Sequence, residues 1–185
     1  MKPLFLGVAL IGAVSILTSV DLRAQTTYPF IAELKTYYSI VKNNHLRMAE
    51  KMPEEHYGFK PAPEVRSFGE ALAHVADAQA RNCGLVSGEQ KKVDAASKKT
   101  KTELVEALKA SYAICDAVLD GLTDATASEL VKLGQSTRTW SKLGLLIGMT
   151  SHANEEYGYM SVYLRLKGIL PPSTETMMRE QQREK

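Results

Sequence analysis

Apolar residues recur every three to four positions through four long stretches of this 185-residue chain, and proline, glycine or polar segments separate the stretches. A helix with one apolar stripe must bury it, and four such helices bury their stripes most simply against one another. The first stretch runs from about Tyr28 to Met52, with Phe30, Leu34, Tyr37, Val41, Met48 and Met52 on one stripe. Pro53 ends it, because proline cannot continue a helix. A loop from Pro53 to Pro63 follows, and Tyr57 and Phe59 are suited to pin it to the helices. The second stretch opens on Ser67 as N-cap with Glu70 completing a capping box, and carries Phe68, Leu72, Val75, Gln79, Cys83 and Val86 inward. Ala71, His74, Ala78 and Leu85 lie beside that stripe. A polar segment, Ser87 to Lys101, links to a third helix capped by Thr102 or a near neighbour, whose Leu104, Leu108, Tyr112, Cys115, Leu119 and Leu122 face inward. Residues 123–138 form a loose link. A fourth helix is expected from about Thr139 to Lys167, with Gly168 as C-cap and Pro171-Pro172 beyond. With no strand signal, the fold class is all-α, an antiparallel four-helix bundle; an irregular four- or five-helix array is the alternative.

The domain expected to fold is residues 25–172. Residues 1–24 read as a secretory signal peptide: Lys2 gives a positive start, Leu4 to Val20 is apolar or small, and Ala24 offers a small residue for cleavage. An uncleaved anchor competes with this reading, since seventeen residues is near the lower limit of a span. Cleavage makes the protein exported, periplasmic or secreted, without stable membrane insertion. Residues 173–185 form a polar tail expected to fray. The formal charge is +2, and +1 once Lys2, Asp21 and Arg23 leave with the signal, too small a field for a nucleic-acid partner.

Export would place Cys83 and Cys115 in an oxidising compartment, where two cysteines invite a disulfide. Their helical phases put both at core positions, which favours two buried thiols packing as small apolar residues.

One acidic residue breaks the pattern. His152 and Glu156 are four residues apart on the fourth helix, one turn above each other, among Leu145, Met149, Tyr159, Met160 and Tyr163. A carboxylate on an apolar face is costly unless paired or bound to a cation. Two donors at this spacing are also how a helix presents a pair of metal ligands. His74, flanked by small Ala71 and Ala78, is the natural third ligand, and two imidazoles with one carboxylate suit zinc, iron, nickel or manganese with positions left open. The plainer alternative makes His74 a hydrogen-bonded core residue and turns Glu156 to the bundle edge to meet Lys or Arg. His45 reads as a core or rim histidine rather than a fourth ligand, and His56 as a solvated loop residue. Trp140 is expected to plug one end of the bundle. Asp77, one turn from His74, is either a proton acceptor or solvated. No phosphate loop, nucleophile elbow or Cys-x-x-Cys pair is present.

The run His74-Val75-Ala76-Asp77-Ala78 resembles the first signature of the DinB-like (DinB/YfiT) family, and His152-Ala153-Asn154-Glu155-Glu156-Tyr157-Gly158 resembles the second. The stretch from Pro53 to Pro61 and Arg66-Ser67-Phe68-Gly69 resemble the exported branch of that family. The resemblance spans about residues 28–172. It implies a four-helix bundle with a divalent metal, zinc, nickel or iron, on three histidines, of which His74 and His152 match two. Glu156 stands where the third histidine is expected. The family resemblance implies a metal-dependent hydrolase or S-transferase acting on a small molecule. A bundle that has lost the metal and serves as a ligand-binding or dimerising module is the alternative.

Overall fold

The computed structural model describes residues 29–133 and 137–185, so residues 1–24, expected from the sequence to be a signal peptide, lie outside the described residues. Four long helices make the body: α1 (Phe30–Lys51), α2 (Phe68–Ser87), α3 (Lys101–Asp120) and α5 (Lys142–Leu166). Between α3 and α5 lie a single-turn helix α4 (Asp124–Ala127) and two short strands, β1 (Leu130–Lys132) and β2 (Thr139–Ser141), paired antiparallel with Val131 opposite Trp140. A sixth helix, α6 (Pro172–Arg183), follows the body. No helix among the described residues is long and apolar enough to cross a membrane.

The long helices pack in a ring, α1 on α3, α3 on α2, α2 on α5 and α5 on α1. Pairings along their lengths set the directions. Lys109 of α3 meets Glu50 of α1, while Tyr38 of α1 meets Asp116 near the other end of α3, so these two are antiparallel. Gly69 lies against Leu104 and Cys83 is bonded to Cys115, so α2 and α3 run parallel. Tyr163 reaches back to Arg66, and His152 meets His74, so α5 is antiparallel to α2. The bundle therefore runs up, down, down, up, so the all-α bundle expected from the sequence is present, but its expected antiparallel order is corrected: α2 and α3 are parallel neighbours, as are α1 and α5. Parallel α2 and α3 require their connection to return the length of a helix. The segment 88–100 has thirteen residues, which reach roughly 40 Å when extended, against about 30 Å for the twenty residues of α2.

The second helix is as the sequence suggests. Ser67 accepts from the Glu70 backbone N–H while the Glu70 carboxylate accepts from the Ser67 N–H, and Phe68, Leu72, Val75, Gln79, Cys83 and Val86 are all buried. Thr100, the near neighbour of Thr102, caps α3 through an equivalent box with Glu103. In α1 the buried stripe is Ile31, Leu34, Tyr38, Val41, His45, Met48 and Met52; Phe30 and Tyr37 are exposed. Tyr38 takes the inward place because its hydroxyl finds both the Tyr112 carbonyl (3.1 Å) and Asp116 (3.0 Å). Tyr57 and Phe59 do pin the first loop, packing on Phe68 and Tyr163.

Other expectations are corrected. Cys83 and Cys115 form a disulfide, with Cα atoms 5.2 Å apart, because parallel packing of α2 on α3 brings two core positions face to face. Helix α5 starts at Lys142 rather than Thr139, since Ser141 caps it by accepting from the Gly144 N–H. Trp140 belongs to the strand pair, is 47% exposed and lies over Gly144 instead of plugging the bundle. The polar tail is helical as α6. It docks by Glu175 on Arg47 and Lys51 and by Ser173 on the Tyr157 hydroxyl, contacts that leave no apolar periodicity to read.

Candidate metal centre

The ring order sets α2 against α5, and that contact carries the site. His74 sits two turns into α2, past the Ser67 capping box, with Ala71 and Ala78 keeping the surrounding wall low. His152 and Glu156 project from successive turns of α5 toward it. The Nε2 atoms of His74 and His152 are 3.1 Å apart with their rings perpendicular, and His74 Nε2 lies 3.7 Å from Glu156 Oε1. One donor atom from each of the three residues lies within 4.8 Å of the other two. Two nitrogens held about 2.0–2.1 Å from one tetrahedral ion stand about 3.3 Å apart, so the imidazole pair already has the spacing of a shared ligand set. The donor set, two imidazoles and a carboxylate, fits a divalent cation, and Glu156 is only 7% exposed.

The surroundings of His74 disfavour its charged form. Burial holds the His74 imidazole below its ordinary value, and the Arg66 guanidinium adds to this; Glu156 opposes them. Glu155 stands 3.9 Å from Nδ1 of His152 and itself accepts from the Tyr159 hydroxyl at 2.7 Å.

The structure thus brings together the three residues that the spacing singled out and leaves the other candidates elsewhere. His45 is fully buried, with Nδ1 3.1 Å from the Val41 carbonyl and 2.9 Å from the Tyr112 hydroxyl, and burial lowers it to about 4. Asp77 is not turned to His74: its two oxygens accept the backbone N–H groups of Ala95 and Ala96. Tyr159, placed by the sequence on the inner face, is 56% exposed.

Arg66 escaped the sequence reading as a site residue. Its guanidinium lies 3.9 Å from Glu156, across a boundary shared by two clefts. One, of about 920 Å³, has His74 in its wall; the other, of about 670 Å³, has Glu156. The sequence signal was its position beside the N-cap Ser67, which places it at the mouth of α2.

Comparison with known proteins agrees with this architecture. No curated protein matches the chain in sequence. Among solved structures, a DinB-like protein from Bacillus cereus superposes with TM-score 0.67 at 16% identity, over 77% of this chain and 95% of its own. A DinB-like protein from Bacillus subtilis gives 0.61 at 21%, over 74% and 92%. A mycothiol-dependent maleylpyruvate isomerase gives 0.58 at 18%, over 70% of this chain and 62% of its own. At these identities the likeness is one of fold. The family model described as the DinB superfamily matches residues 38–160, a span that includes α2 and every residue of the donor cluster, so the chain belongs to the DinB superfamily.

Proposed function

We propose that His74, His152 and Glu156 hold one divalent cation, zinc, nickel or iron, and that the protein is an exported metal-dependent hydrolase of a small molecule. The observation that carries this reading is the convergence of the three donor atoms within 4.8 Å at a point bordered by two clefts. A cation bound there supplies Lewis acidity to a coordinated water or carbonyl. The chain's own part is to hold the His74 imidazole below its ordinary value through burial, to present His152 and Glu156 from successive turns of α5, and to offset one positive charge with Glu156. The disulfide between Cys83 and Cys115 supports export, since such bonds persist in oxidising compartments. Export in turn favours hydrolysis over S-transfer: a fold neighbour is mycothiol-dependent by name, and an exported chain is separated from cytosolic thiols.

The test is metal analysis of the purified protein after reconstitution with zinc, nickel or ferrous iron. Near one ion per chain is expected, lost in His74→Ala and Glu156→Ala. Wild-type protein that stays empty with all three metals overturns the reading. A second reading has one observation in its favour: His74 and His152 satisfy each other, and Arg66 faces Glu156, so the cluster is partnered without an ion. On that reading the bundle binds a ligand or pairs with a second copy through exposed Ile147 and Leu166 of α5, and the same metal analysis distinguishes the two: wild-type protein that stays empty favours this one.

A further inference from the structure

The two clefts that meet at the donor cluster differ in chemistry. The larger is walled by Lys60, Arg66, Arg81, Lys98 and Lys99, five cations against the carboxylates of Glu64, Glu70 and Asp77. Two of those carboxylates are already engaged. Glu70 takes Lys60 and the Ser67 N–H, and Asp77 takes two backbone N–H groups. The smaller cleft is walled by Val65, Met160, Val162 and Tyr163 beside Glu156, and is mostly apolar. Arg66 belongs to both.

Arg66 is also not committed to the fold. Its side chain is 53% exposed, and the 3.9 Å to Glu156 is too long for a hydrogen bond. Among the described residues no other group hydrogen-bonds its guanidinium. A planar fork of N–H donors at such a boundary is suited to grip a carboxylate or phosphate in two-point fashion.

We infer that the substrate is a small amphiphile with an anionic oxygen group at one end and an apolar group at the other. The anion lies against Arg66 and the basic cleft, the apolar part fills the cleft beside Glu156, and the reacting bond spans the donor cluster between them. Arg66 is then the specificity-determining residue. This rests on the metal reading for the position of the chemistry, but the charge preference belongs to Arg66 and does not need the ion.

The test measures binding of 4-phenylbutyrate and its neutral isostere 4-phenylbutyramide to the purified protein by calorimetry, both zinc-loaded and after chelation, with metal content determined on the same samples. The acid is expected to bind about tenfold more tightly than the amide in both states. Arg66→Gln is expected to remove that preference by weakening the acid alone, and Val162→Asn to weaken both ligands. Equal binding of acid and amide, a preference that survives Arg66→Gln, or no binding of either ligand at about 10 mM overturns the inference. A preference that disappears on chelation overturns it as well, because the anion would then sit on the ion. Arg66-dependent preference in a protein that takes up no metal sustains the inference and sinks the metal reading. A metal-loaded protein without the preference does the reverse.

Discussion

The disulfide between Cys83 and Cys115 closes a loop with a sequence separation of 32, and removing it exposes the unfolded chain to conformations the bridge forbids. In the chain-entropy account a loop of that length contributes roughly 3.5–4 kcal/mol. Both sulfurs are buried and touch Met149 Sδ, at 3.2 and 3.7 Å; in the bonded form these are packing contacts, since neither sulfur carries a proton. Replacing both cysteines with alanine therefore adds a packing loss of about 1–2 kcal/mol to the loop term. In a domain of this size each kcal/mol moves Tm by roughly 2–4 °C, so reduction alone should lower Tm by roughly 7–15 °C. The double alanine variant should fall further. Because the bridge is inaccessible in the native state, the reduced sample is made by unfolding in reductant and refolding with reductant present. Urea unfolding should then show a lower midpoint with a larger m-value, as the unlinked denatured chain exposes more surface. The reasoning is refuted if protein from an oxidising expression compartment carries two free thiols by mass spectrometry, or if the reduced and oxidised forms melt within about 2 °C of each other.

The buried His45 should make stability fall on acidification. Its folded value is lowered to about 4 from 6.5, so between those pH values the unfolded chain takes up a proton that the folded chain refuses. Its contribution is complete above about pH 6.5 and is lost as pH falls to about 4, amounting to roughly 3 kcal/mol. Urea titrations from pH 4 to 7.5 should show a shallower pH slope in His45→Gln, and an unchanged slope would refute the assignment. Asp77→Ala should strand the Ala95 and Ala96 N–H groups, costing about 1–3 kcal/mol and raising proteolytic cutting within residues 88–100; unaltered cutting would count against its pinning role. Ser67→Ala and Thr100→Ala each remove one half of a capping box and should cost about 1 kcal/mol by thermal unfolding.

What could be read from the sequence depended on how each element is held. Helix α2 is buried along one contiguous stripe and carries a capping box, so both its start and its inner face were legible. In α1 two adjacent tyrosines competed for one inward slot, and the choice rested on Asp116 and the Tyr112 carbonyl, which come from a distant helix. Helix α5 is apolar around most of its circumference, with Ile147, Val162 and Leu166 exposed and Leu146, Met160 and Leu164 buried. Such a pattern announces a helix without selecting a face, and Tyr159 was assigned to the wrong side. The spacing of His152 and Glu156 was still informative, because four residues share a face wherever that face points. Helix α6 has almost no apolar stripe and is held by ion pairs and one tyrosine hydroxyl. The three-residue strands are shorter than any period can reveal, and the disulfide required knowing that α2 and α3 run parallel.

That parallel pair also explains where the basic cleft comes from. Had α3 returned antiparallel to α2, a turn of a few residues would have joined them and the flank of α2 beside His74 would be open. With α3 parallel, residues 88–100 must travel back along α2, and they line the cleft that has His74 in its wall. Asp77, three residues from His74, holds that return by two backbone hydrogen bonds. The backbone at Glu89 and Lys91 crosses α2 so closely over Gly84 that a Cβ there would meet the Glu89 carbonyl at 2.6 Å. Pinned at both points, the segment delivers Lys98 and Lys99 to the rim of the cleft that has His74 in its wall. A stretch that reads as a polar link in the sequence is thus one wall of the cleft bordering His74, and the placement of its charge there is a consequence of the helix order.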